Sequence, residues 1–180
     1  MRTKWLWIMG LGGLAAGCGQ GHAIFVVDVY SFLKPSQDTV PYIVPPSSSA
    51  TASSAAQKIS LPGAGSSIVD SIVIFGTDSL HNLSGTGTIG LQVFMASDSL
   101  GTFTNPDTAL TVIPKPVSGM QTVPDTITGK LRPGVDSLFT KSALWVRVAA
   151  QGTNSSAVAL QGAMVLHSLR LTVVISDKIF

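Results

Sequence analysis

Side chains able to serve as acids, bases or metal ligands are scarce in this 180-residue chain: nine acidic residues, all Asp, three His and a single Cys, Cys18. With no Glu present, a two-carboxylate glycosidase would have to take both acid and nucleophile from Asp. His22, His81 and His167 lie far apart, and no spacing among them is that of zinc ligands. His81 falls in a polar stretch that reads as an exposed turn. His167 interrupts an apolar run, as a hydrogen-bonded strand residue does. Ser31-Phe32-Leu33-Lys34 has the S-x-x-K spacing of a Lys-activated Ser nucleophile, but that chemistry needs a helical turn. Here the tetrad closes a β-rich run before Pro35, without S-D-N or K-T-G partners. Gly63-Ala64-Gly65-Ser66-Ser67 lacks a following Lys-Ser or Lys-Thr, so it reads as a turn before a strand and not a phosphate loop.

Asp-Ser-Leu recurs at Asp78, Asp98 and Asp136, and Asp70-Ser71-Ile72 is a variant. Calcium-binding or sugar-binding loops would use such Asp and Ser oxygens. Irregular spacing and the lack of a D-x-D-x-D cluster favour Asp residues that accept backbone N–H groups at strand ends. Tyr30, Tyr42, Phe94 and Phe103 would make a sugar-stacking platform only if they shared an exposed face, and core filling is the commoner use. The expectation is no catalytic set, no metal site and no cofactor.

Cys18 has a different context. Arg2 and Lys4 form a positive n-region, and Trp5 to Ala16 an apolar run too short to span a bilayer, which takes ~20 apolar residues. The run closes on Leu14-Ala15-Ala16-Gly17-Cys18. This resembles the lipobox of bacterial lipoprotein precursors. The resemblance implies a signal peptide over residues 1–17, cleavage before Cys18, and lipidation of that Cys as the mature N-terminus. Residues 18–23 would then be the lipidated Cys and a short tether, and 24–180 the folded body. A plain secretory signal cut after Ala23 is the competing reading. Gly19, where many inner-membrane lipoproteins carry Asp, implies the outer membrane if the host has two membranes.

Beyond the signal, residues 18–180 carry nine basic side chains against nine Asp, a formal charge of zero. The pI of 8.9 therefore reflects the signal in part. No basic stripe remains, which argues against nucleic acid. With one Cys in the chain, no intrachain disulfide is possible.

The elements that must position these residues read as strands. There are 22 Ser, 16 Thr, 18 Gly and 10 Pro, which favours strands and turns over helices. Period-two alternation runs through Gly87 to Ala96, through Ala143 to Ala150 with Leu144, Val146 and Val148 inward, and through Leu169 to Ser176. Ile24 to Leu33 and Ser67 to Phe75 are apolar on both faces and suit central strands. Shorter candidates are Lys58 to Leu61, Ala109 to Ile113, Thr122 to Ile127 and Ala157 to Leu160. Residues 45–57, Pro followed by Ser, Ala, Thr and Gln, read as a long surface loop. The expected fold is all-β: one antiparallel β-sandwich, Ig-like or jelly-roll. The expected function is a membrane-tethered, non-enzymatic structural or interaction module of the cell envelope, its partner an envelope protein or polysaccharide. A carbohydrate-binding module is the alternative.

Overall fold

The computed structural model describes residues 21–33, 37–61, 68–131, 136–139 and 141–177. Its strands are β1 (Gly21–Asp28), β2 (Thr39–Val44), β3 (Ser49–Ser53), β4 (Gln57–Ser60), β5 (Ile68–Ser84), β6 (Thr86–Ala96), β7 (Thr108–Thr111), β8 (Lys115–Ser118), β9 (Gln121–Leu131), β10 (Ala143–Asn154) and β11 (Leu160–Asp177). Two single-turn helices, α1 (Gly101–Thr104) and α2 (Asp136–Phe139), join them. Sheet I runs β1–β11–β5–β9, with β2 further along the same edge of β11. Sheet II runs β3–β10–β6–β7, with β4 beside β10 and β8 beside β6. Every pairing is antiparallel.

The split strands share places: β1 with β2, β3 with β4, and β7 with β8. Numbered in chain order, the resulting eight places form one sheet in the order 1-8-3-6 and another in the order 2-7-4-5. That is the double Greek key of a jelly roll, so the expected single antiparallel sandwich is present in its jelly-roll form.

Between the sheets lies one apolar core. Ile72, Ile74 and Leu80 from β5, and Leu169, Leu171 and Val173 from β11, face Ile89, Leu91, Val93 and Met95 from β6 and Leu144, Val146 and Val148 from β10. The inward set expected for β10 is buried throughout, and so is the alternating set Ile89, Leu91, Val93 and Met95 of β6. A corner of the sandwich is fixed by Asn82. It accepts from the Tyr42 hydroxyl (3.1 Å) and donates to the carbonyls of Gly119 (2.6 Å) and Gly85 (3.3 Å). Gly85, at φ +79°, makes the β5–β6 turn in a conformation open to glycine but strained for L side chains. At another corner the Asn154 amide donates to the carbonyls of Val44, Pro45 and Val158.

Several sequence expectations are corrected. The run from Ile24 is an edge strand, not a central one: β1 pairs only with β11, ends at Asp28, and leaves Ile24 and Val26 exposed. Ser31 lies in the 3₁₀ turn that follows, its Oγ donating to the Asp28 carbonyl at 2.7 Å. Gly21 to Ala23, expected in the tether, are already in β1, with Gly21 opposite Asp177. Residues 45–57 are not all loop, because β3 finds an edge partner in β10. Small Ser, Thr and Ala side chains suit that half-exposed edge. Residues 157–159 precede β11 and are not strand. Gly63–Ser67, Lys34 and Cys18 lie outside the described residues.

Candidate functional site

Polar residues interrupt the middle of sheet I. Along β5, positions 72, 74, 76, 78, 80 and 82 are buried inward, so Thr77, Ser79 and His81 face outward by the strand period. Across β9 their outward neighbours are Thr126, Pro124 and Thr122, and Pro124 is tolerated because β9 is an edge strand. Toward β11 the register slips. Leu166 pairs with Asp78 and Ser168 with Thr77, leaving His167 as the extra residue of a β-bulge. A bulge re-aims its side chains. Here it lets His167 and Ser168 both reach the outer face while Leu166 and Leu169 remain buried.

The result is a hydrogen-bonded chain of four side chains with a separate hydroxyl pair beside it. Ser79 Oγ lies 2.8 Å from His167 Nε2 and 2.9 Å from His81 Nε2. His81 Nδ1 lies 3.1 Å from Thr122 Oγ1, and Thr77 Oγ1 lies 2.9 Å from Ser168 Oγ. Ser79 has one hydroxyl proton, so it donates to one imidazole and accepts from the other. A Ser–His contact is half of a hydrolytic triad. In such a triad a carboxylate orients the imidazole; on His81 that position is held by the Thr122 hydroxyl. Among the described residues no three His, Cys, Asp or Glu side chains converge on a possible metal position.

Behind this face Asp78 and Asp125 are directly opposed on β5 and β9. Lys115 of sheet II reaches Asp125 at 3.2 Å. Asp78 is 2% exposed, and its Oδ1 has no hydrogen-bond partner among the described residues. Desolvation first, then the Asp125 charge, push its carboxyl up to about 6, against a smaller opposing effect of Lys115. A concavity of about 510 Å³ is lined by residues of both groups, among them Thr77, Asp78, Ser79, Lys115, Asp125 and His167. Such a lining offers hydroxyl, imidazole, carboxylate and ammonium groups to a polar ligand.

The remaining sequence candidates are placed as follows. Asp78 and His81, read as turn residues, lie in mid-strand, because β9 and β11 on either side supply the backbone partners that a turn would otherwise need. Asp98 does act as expected at a turn, its Oδ1 accepting from Gly101 N at 2.7 Å. Asp70 accepts from Ser176 Oγ. Phe94 and Phe103 share a face, but Arg147 is clamped between their rings at 4.1 and 4.5 Å. Tyr42 is in the core. Sequence reasoning missed the Ser79–His167 contact, since the bulge that creates it leaves no mark but a phase change in the alternation.

No family model matches the chain, and no curated protein matches it. Among solved structures it is similar to infectious bursal disease virus, Gx strain: TM-score 0.51, 8% identity, covering 89% of this chain and 38% of the other. The chain thus spans well under half of that neighbour. The T13 viral particle of the same virus gives a TM-score of 0.40 at 7% identity, covering 86% and 38%. TmCBM61 in complex with β-1,4-galactotriose gives 0.34 at 11% identity, covering 82% and 86%. The first likeness shows a shared fold and nothing further; the other two scores are too low to establish a common topology.

Proposed function

We propose that this chain is a lipid-anchored jelly-roll module of the cell envelope, with a structural or interaction role and no catalytic one. The observation that carries the reading is the sequence Leu14-Ala15-Ala16-Gly17-Cys18, which ends on the only cysteine. That cysteine stands three residues before the first residue of β1. The outer membrane is its destination if the host has two. Acyl chains supply membrane affinity of ~0.8 kcal/mol per buried CH₂, and two or more make the anchor stable. Cys18→Ser tests this directly. Acyl labelling is expected to vanish and unprocessed precursor to accumulate, since the thioether needs the sulfur. A Ser variant still cleaved at the same bond and still membrane-bound overturns the reading.

A second reading, polysaccharide binding, is favoured by the polar concavity on sheet I and its hydroxyl-rich rim. Retention on an envelope polysaccharide that Asp125→Asn abolishes would select it over a protein partner.

A further inference from the structure

The outer face of sheet I is divided. Its middle carries the polar cluster, whereas the third nearest the start of β1 carries exposed large apolar side chains. Register places Ile24 beside Val174, and Val26 beside Thr172 with Val73 on the far side of Thr172. One step further, Asp28, Arg170, Phe75 and Thr128 form the next row. Ile24 is 67%, Val26 60% and Phe75 54% exposed, so β1 and β5, on either side of β11, present large apolar side chains to the outside. Lys130, cross-strand from Val73, and Arg170 add exposed cations at the rim. Exposed apolar residues elsewhere, such as Ile113 and Met120, lie outside these rows. Large apolar side chains gathered on one part of a sheet face mark a surface that is covered in use.

The chain length before β1 says what covers it. Cys18 is three residues ahead of Gly21, and three residues reach at most ~11 Å. An acyl chain on that Cys therefore holds the start of β1 at the membrane surface. Ile24 and Val26 follow within five residues of Gly21. We propose that the domain lies tilted on the bilayer, with the patch of Ile24, Val26, Val73 and Phe75 seated in the headgroup–acyl boundary and Lys130 and Arg170 at the phosphates. This rests on lipidation of Cys18. The tether supplies proximity; the patch supplies orientation. The polar cluster, further along the same face, is then left at the edge of the contact.

The experiment uses the processed, full-length protein inserted into phosphatidylcholine–phosphatidylglycerol vesicles with brominated acyl chains. Because acylation blocks Cys18, a new cysteine is the only free thiol. Val26→Cys and Phe75→Cys carry a small fluorophore, and Val158→Cys, 60% exposed in the turn before β11, is the reference. Ile24→Cys replaces either test position if one variant folds poorly. Bromine quenches only on contact with lipid, so the labels at 26 and 75 are expected to lose about half their emission or more while the label at 158 stays within about a tenth of its unquenched value, as for residues seated ~5–10 Å into the interface. Equal quenching at all three positions, or none at 26 and 75, overturns the seat. So does self-association that covers the patch, which leaves these labels unquenched. The parent's mass separates the two readings: an unmodified Cys18 overturns the anchor, whereas a lipidated Cys18 without quenching overturns only the seat.

Discussion

Asp78 is the residue at which this fold works against its own stability. A carboxylate there faces the core, opposes Asp125 across the strand pair, and lacks a partner for Oδ1 among the described residues. Its folded pKa of about 6 lies above the ordinary 3.8, so between those values the native state binds the proton more tightly than the unfolded chain. Stability therefore falls as pH rises from about 4 to 6, by up to about 3 kcal/mol, and the loss is complete above 6. Asp78→Asn removes this titration while keeping the shape. The variant should gain stability relative to wild type as pH rises through that window, measured by urea unfolding at pH 4 and pH 7. An unchanged difference between the two proteins at both values would show that Asp78 ionises freely.

Strand β10 was legible because Leu144, Val146 and Val148 recur with period two, and all three are buried. The two longest strands were legible only in part. β11 changes phase at the His167 bulge, so its first half no longer matches its second. β5 continues through Thr77, Asp78, Ser79 and His81, whose composition is that of a turn; only the flanking strands make it strand. The candidate site lies on these two hidden stretches and was lost with them. Arg147 shows the same limit. Alternation puts it outward, yet α1 folds over it. Its Nε and Nη2 donate to the Thr102 carbonyl at 3.0 and 2.7 Å, between the rings of Phe94 and Phe103. Burial lowers the pKa of the guanidinium. Arg147→Met retains the aliphatic stem and loses the two hydrogen bonds and the stacked charge. The expected cost is about 2 kcal/mol, with faster amide exchange over 98–105. Wild-type exchange in that segment would mean that α1 is held by other contacts.

The order of strands in the molecule bears on how the whole chain reaches this state. β11, the last described strand, borders β1, β2 and β5, so three of the other four strands of sheet I pair with it directly. Gly21 pairs with Asp177, the two ends of the described chain. Sheet II is hydrogen-bonded without β11, but its inner face of Ile89, Leu91, Leu144 and Val148 needs sheet I as the opposing layer. Non-local pairing of this kind makes folding slow, in the millisecond-to-second range, because loop closure precedes the contacts that compensate for it. A chain ended after Asn154 should consequently have no cooperative unfolding transition and no protected amides in β6 or β10, although both strands are intact in sequence. Hydrogen exchange on that truncation measures it. Protection in β6 and β10 at the full-length level would mean that sheet II is a folding unit by itself, and the two sheets would then be joined late. Without it, the jelly roll forms only after β11 is available, and the strands made before it stay open until then.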